Sequence, residues 1–370
     1  MNRFLQLHFL TSYGPSNLNR DDQGRPKTAK FGNGIRLRVS SQSLKRAWRT
    51  SDVFEAAVGA HQGKRTKRIG REAYDALSAA GVKDKDAFDW ARLIAGAFGA
   101  VEKLEEKKKA AAKVKEGEVA VVIEPKDPLK ALLNTTMTFI APSERAGVDA
   151  LVALLVQEKR EPKPEELHFL RKDIAAVDIA LFGRMLADDA GFNIDAACQV
   201  AHAITVHTAE IDDDYFSAVD DLNPKESTGS GHIGEQGFGA GVFYSYICVD
   251  RQLLLDNLRG DRKLMDQTLR ALAECAATVA PSGKQNSFAS RAYASYGLAE
   301  VGDAQPRQLS MAFLKPVADQ DVLRDAILRL TETYERLDAV YGKSAAARAS
   351  FDALSGTGSL RLMCDLAVQE

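Results

Sequence analysis

At 370 residues, with 45% hydrophobic and 27% charged side chains, the chain has the composition of a soluble globular protein and can bury a substantial core, expected in two lobes. No apolar run reaches bilayer length, and the four cysteines (Cys198, Cys248, Cys275, Cys364) lie too far apart for a disulfide framework or a zinc site. The formal charge of −2 hides an asymmetry: residues 1–50 carry +8 and the remainder −10, the pattern of a local polyanion contact on an otherwise acidic body.

The opening MNRFLQLHFL lacks the n-region, h-region and cleavage site of a secretory signal, so the cytoplasm is the expected location and no membrane contact is expected. RFLQLHFLTSY alternates as a first strand with Leu5, Leu7 and Phe9 on one face. A long turn-rich loop, GPSNLNRDDQGRPKTAKFGNG, follows. Arg36 to Val39 reads as a short second strand, and Ser40 and Ser41 offer an N-cap to a helix beginning near Gln42.

That helix carries most of the local charge. Between Phe31 and Thr50 stand Arg36, Arg38, Lys45, Arg46 and Arg49, with no acid among them. Helical geometry puts Gln42, Lys45, Arg46 and Arg49 on one face and Leu44, Ala47 and Trp48 on the opposite stripe. Serine hydroxyls and unsatisfied amides at the N-terminus, followed by a row of cations, make a track for phosphates. A solvated amphipathic surface helix would carry the same cations; the serine cap and the missing acids favour the anion site.

Residues 52–185 read as helical and loosely organised, interrupted by the charged stretch EEKKKAAAKVKEGEVAVVIEPKD around 102–127, a helix tip or loop of no assignable role. From about residue 190, AACQVAHAITVH reads as a helix leading to acidic EIDDDYFSAVDDL. Glycine-rich STGSGHIGEQGFGAG and the strand VFYSYICVD come next. The C-terminal part alternates the helix ADQDVLRDAILRLTETYERLDAVYG with strand candidates such as AYASYGLAEV. In DDDYFSAVDDL, flanking acids and the glycine-rich return point to a protrusion whose apolar tip meets something outside the domain.

Catalytic patterns fail one by one. GSGHIG (Gly229 to Gly234) precedes a strand, the reverse of a dinucleotide fingerprint, and reads as a hairpin tip. VGAHQGKRT resembles a P-loop but has Val58 for the first glycine and Arg65 for the Ser/Thr. The pairs Asp21-Asp22, Asp188-Asp189 and Asp220-Asp221 and the run Asp212 to Asp214 sit in turns without a partnered histidine. His202 and His207 are five apart, off a helical i,i+4 face, and no G-x-S-x-G elbow is present. No catalytic residue, metal or cofactor is expected.

The blocks LNRDD, RVSSQSLKRAWR, DIALFGRM, AHAITVHTAEIDDDYFSAVDDL and GAGVFYSY, in this order over most of residues 1–250, resemble the CasC-type backbone subunit of the type I-E CRISPR effector complex, Cascade; GKQ (Gly283 to Gln285) is the best block of the C-terminal third. The resemblance implies an α+β fold: an RRM/ferredoxin-like palm (1–55 and 186–370), an inserted helical fingers domain (56–185) and a thumb hairpin at about 208–240. It implies copies stacked head to tail on a CRISPR RNA guide, alongside other Cascade subunits, with the guide pairing to a target DNA strand in antiviral defence. Carried over by position, Lys27, Ser40, Gln42, Lys45, Arg46 and Lys284 bind the guide backbone, with Arg49 beside them. Met185, Tyr215, Phe216 and Val219 form the wedge around a displaced nucleotide; Tyr215 departs from the tryptophan expected there. Two other readings stand beside this one: a metal-dependent RNA-cutting protein of type III-like complexes using Asp21 or Asp22, against which the LNRDD context speaks, and a scaffold whose basic helix binds an acidic protein.

Overall fold

The structure is a computed structural model and describes residues 1–103, 127–186, 188–218, 232–318 and 320–369. In chain order the elements are β1 (Phe4–Ser16), β2 (Thr28–Phe31), β3 (Gly34–Val39), α1 (Ser41–Arg49), α2 (Asp52–Val58), β4 (Lys64–Thr66), α3 (Ile69–Ala79), α4 (Asp84–Gly96), β5 (Thr138–Ile140), α5 (Pro142–Glu158) and α6 (Val177–Phe182). There follow β6 (Cys198–Val200), β7 (Ala203–Thr205), β8 (Asp212–Ala218), β9 (His232–Asp250), α7 (Arg251–Asn257), α8 (Arg262–Thr278), α9 (Gln285–Phe288), β10 (Ala294–Gly302), α10 (Val322–Tyr341), β11 (Ala347–Asp352), β12 (Thr357–Gly358) and α11 (Leu360–Val368). The fold is α+β and divides into two compact units, one of residues Met1–Ala60 and Ala196–Glu370, the other His61–Asp195.

The first unit is built on an antiparallel sheet in the order β12-β11-β10-β1-β9-β7-β3-β2, with β6 and β8 also paired to β9. β1 lies between β9 and β10 and is buried on both faces: Leu5, Leu7 and Phe9 are inaccessible, and so are His8 and Leu10. One face packs Leu10, Tyr244, Tyr246 and Leu298 against Leu309, Phe313 and the α10 residues Ala326 and Leu330. α8 and α11 contact β1 or β10 as well as each other. Burial of this kind contributes about 25 cal/mol per Å² of apolar surface and is the main stabilising term of the unit.

Three segments differ from their sequence expectation. The stretch expected as a loop after β1 ends in a hairpin, β2–β3, turned at Gly32-Asn33; Gly32 has φ +56°, and a side chain there would collide with the carbonyl of Leu314. AACQVAHAITVH forms two short strands, β6 and β7, instead of a helix. Ala197, Cys198, Ala203, Thr205 and Val206 are buried where the segment pairs with β9, and that ladder overrides helical propensity. The glycine-rich stretch before VFYSYICVD is, from His232 onward, the first half of a 19-residue strand.

The second unit packs α3, α4 and α5 around Leu77, Trp90, Ile94, Leu132, Leu151 and Leu155. Its two strands, β4 and β5, form a separate small sheet. A buried ion pair anchors the end of the unit: Arg184 Nη1 lies 2.8 and 2.9 Å from the two carboxylate oxygens of Glu144, which also accept the Ala141 and Arg171 amides. Every lone pair of that carboxylate is engaged, the condition for a buried charge to be tolerated. The charged insert around 102–127 lies, from 104 to 126, outside the described residues. No helix among the described residues is long and apolar enough to cross a membrane.

Candidate nucleic-acid interface

α1 forms as its sequence requires. The Ser40 side chain accepts the Ser43 amide, Leu44 and Trp48 are buried, Ala47 is half-buried, and Arg46 and Arg49 fall in the last turn, where cations suit the helix dipole. Gln42 and Arg46 are exposed, and Lys45 and Arg49 are half-buried. Burial pushes the Cys198 thiol of β6 up to about 12, and the Lys45 charge pulls the other way.

Two of the five cations between Phe31 and Thr50 serve the fold, a correction to the picture of a wholly uncommitted basic run. Arg36 is inaccessible and donates to the carbonyls of Phe313 (2.7 Å), Thr205 (3.4 Å) and Phe31 (3.5 Å). It locks the β2–β3 hairpin to β7 and to the segment before α10. Burial lowers its pKa, and three carbonyl oxygens take the place of a carboxylate. Arg38 bonds His202 Nδ1 (2.9 Å) and the Thr28 carbonyl (3.4 Å). The pKa of His202 is lowered by burial and by the charges of Arg38 and Lys27, so its ring stays neutral in a positive neighbourhood.

Lys27, Ser40 and Lys284, far apart in sequence, converge on one short piece of chain that sequence reasoning passed over. The Asn19 carbonyl accepts the Lys27 amide at 2.8 Å, and Asn19 Oδ1 accepts the Ser40 amide at 2.9 Å. Asn19 thus joins the Lys27 strand entry to the cap of α1. One residue earlier, Leu18 presses its carbonyl against Gly283, where an added Cβ would lie 2.2 Å from that oxygen; only glycine lets the GKQ loop approach. Lys284 then adopts φ +50° and its carbonyl accepts the Ser287 and Phe288 amides, starting α9. The wholly buried Asn17 donates from Nδ2 to the carbonyls of Gly24 and Gly237, both at 2.9 Å. Asn17 to Asn19 is therefore a hub for the Lys27 loop, the α1 cap, the Lys284 loop and β9. The sole sequence signal for it was the LNRDD block.

β8 and the first half of β9 make a two-stranded ribbon that runs on past the sheet: β9 pairs with β8 from His232 to Phe238 and with β1 from Gly239. Tyr215 and Phe216 stand on it, 67% and 41% exposed. Being adjacent in a strand they point to opposite faces of the ribbon. Arg25 binds Asp213 at 3.0 Å, and Phe238 packs on Phe288 with ring centroids 5.8 Å apart, so the base of the ribbon is tied to the loops that carry Lys27 and Lys284. Met185, in the second unit, is 85% exposed and directly follows the buried Arg184, which fixes its backbone. Val219 lies outside the described residues.

A hollow of about 800 Å³ opens beside α1, lined by Ala47, Thr50, Gln285, Arg291 and Tyr293 among others. Asp21 is used locally: its Oδ1 accepts the amides of Gln23 and Arg25, the turn-capping role expected of such aspartates.

Comparison with known proteins decides the family. The CT1975-like protein family matches residues 5–363. The chain belongs to this family. A chain described as "CRISPR RNA-guided surveillance complex, pre-nicking" is 29% identical with a TM-score of 0.79, covering 99% of both chains. One described as "CRISPR RNA-guided surveillance complex", 24% identical with a TM-score of 0.61, shares the fold over 99% of this chain and 98% of that one. No curated protein matches. These matches bear out the resemblance to the Cascade backbone subunit and the α+β fold.

Proposed function

We propose that this CT1975-like protein is a non-catalytic backbone subunit of a Cascade-type complex, holding a CRISPR RNA guide by its phosphates and leaving the bases to pair with a target DNA strand. The observation that carries this is the convergence of Lys27, the capped basic helix α1 and the Lys284 loop on Asn17 to Asn19. Contacts of this kind position a strand without reading it, and recognition passes to base pairing. In this reading the first unit is the palm, the second the inserted fingers and the β8–β9 ribbon the thumb.

Lys27, Ser40, Gln42, Lys45, Arg46, Arg49 and Lys284 grip the guide. Tyr215 and Phe216, one on each face of the ribbon, wedge against displaced nucleotides, the exposed aromatic planes replacing stacking that the bases lose; the resemblance adds Met185 and Val219. Further copies join head to tail along the RNA beside other complex subunits, and strand destruction belongs to a recruited nuclease. The 29% identity to a surveillance-complex chain supports the placement.

The test is Lys45→Ala with Arg46→Ala. Leu44 and Trp48 still pack and Ser40 still caps, so the monomer stays folded, while assembly on guide RNA is lost. For the wild type, five cations per copy give a log–log salt dependence of about −3.5, at about −0.7 per single-strand phosphate contact. A folded double variant that assembles normally on RNA overturns the proposal.

A further inference from the structure

Resting on that reading, we propose that β4 of the second unit, with the residues leading into α3, is a second phosphate-binding surface, for the strand paired to the guide. The stretch GKRTKR, which overlaps the end of the failed P-loop VGAHQGKRT, forms a basic edge: Lys64, Arg65 and Arg68 are exposed and Lys67 is half-exposed. The neighbouring acids are engaged elsewhere, Glu72 by Arg145 and Asp75 by Arg71 at 3.0 Å. Lys67 is tied to the Thr135 carbonyl, and the Arg65 guanidinium lies over the Phe139 ring, 5.7 Å from its centroid. Among the described residues, Lys64, Arg65 and Arg68 form no ion pair with any carboxylate.

The segment is held rigidly while its charges are left outside. At one end the Gly63 amide donates to Asp178 Oδ1 at 2.8 Å, and an added Cβ would crowd the Ile140 carbonyl at 3.0 Å. At the other, Gly70 packs so closely that a Cβ would lie 2.6 Å from both the Ala95 side chain and the Leu132 carbonyl. Local stability does not account for Arg68, which stands at the N-cap of α3, where the helix dipole disfavours a cation, and makes no side-chain cap. Charges placed against a local rule on a pre-ordered backbone are the mark of a binding surface. The first unit already supplies a cation track for the guide. Pairing adds one phosphate per nucleotide, a second row of charge, and Lys64, Arg65 and Arg68 match it without any side chain suited to reading bases.

The test uses full-length protein assembled on guide RNA and the triple variant Lys64→Gln, Arg65→Gln, Arg68→Gln. Guide assembly stays at the wild-type level, while affinity for the complementary DNA strand falls about tenfold and the log–log salt slope flattens by about 2 to 3, at about 0.9 per duplex phosphate contact. Lys64→Arg alone retains wild-type binding. Unchanged DNA affinity and slope overturn the inference, and so does a loss confined to guide assembly, which would place the β4 edge on the RNA. If the Lys45/Arg46 variant assembles normally, the proposed function falls by itself. The β4 edge is then tested on free duplex DNA, where the triple variant must show the same loss and equal binding refutes it.

Discussion

The ring of Phe216 lies over Gly234, its partner directly across the β8–β9 ribbon: a β-carbon on Gly234 would come 2.4 Å from Phe216 Cζ. The glycine gives the aromatic a backbone floor, and Phe216 remains 41% exposed. Gly234→Val must therefore displace the ring without touching the core. Base–aromatic stacking is worth about 1–3 kcal/mol, roughly five- to 150-fold in affinity. Gly234→Val and Phe216→Ala should each weaken pairing of the assembled particle with target DNA within that range and leave guide assembly intact. Titration with labelled complementary DNA measures it; wild-type affinity in both variants would remove Phe216 from the wedge.

Asn19 should behave as a stability and a binding residue at once. Asn19→Leu keeps the carbonyl that accepts the Lys27 amide but deletes the acceptor of the Ser40 amide, in a partly buried position. Leaving that donor unsatisfied costs about 1–3 kcal/mol, and it loosens the cap that sets α1 against the Lys284 loop. The urea midpoint should fall and RNA affinity should fall with it. Lower stability with unchanged RNA affinity would separate the hub from the track.

How far these features were legible in the sequence depends on how local their causes are. β1, α1, α10 and β10 announce themselves through alternation, a serine cap or helical spacing, and each stands where its residues predict. The cation face of α1 was legible for the same reason. The stretch around Cys198 and Ala203 was not, because its apolar residues suit a helix as well as a strand and only the β9 ladder decides. Arg36 looked like free charge because the three carbonyls that receive it come from residues 5, 169 and 277 positions away. The Asn17 to Asn19 hub likewise joins side-chain bonds, a backbone bond and a close glycine contact to residues outside any repeat, which leaves no periodic trace.

Stability should fall as the medium turns acidic, beginning near pH 6.5. His8 is fully buried in the sheet, its Nδ1 2.9 Å from the Tyr244 hydroxyl, which itself accepts the Leu309 amide, and its Nε2 facing Glu300 at 3.4 Å. Burial lowers the His8 pKa against the pull of Glu300, so the unfolded chain takes up that proton more readily than the folded one. The contribution is whole above about pH 6.5 and is lost progressively below it. Burial alone would raise the Glu300 carboxyl, but His8 Nε2 facing it at 3.4 Å and the hydrogen bonds from Arg307 hold it below the usual range, and its contribution is lost further down, below about pH 4.5. His8→Gln should lower Tm at pH 7 and flatten the decline between pH 7 and pH 5. An equally steep decline in the variant would show that His8 is not its source.

The aspartates of LNRDD offer the sharpest test of whether the protein cuts RNA. Asp21 Oδ1 accepts two backbone amides, from Gln23 at 3.0 Å and Arg25 at 2.9 Å, and Asp22 is exposed beside it. A metal-dependent nuclease would need these oxygens for a divalent ion and an attacking water; a turn needs only one acceptor, which asparagine also supplies. Asp21→Asn and Asp22→Asn should therefore leave folding, guide assembly and target-DNA pairing at wild-type levels. Target RNA paired to the guide should stay intact with magnesium in all three proteins, read as full-length RNA on a denaturing gel. Magnesium-dependent cleavage by the wild-type assembly, lost in either variant, would overturn the non-catalytic reading and move the function of LNRDD from holding a turn to cutting the paired strand.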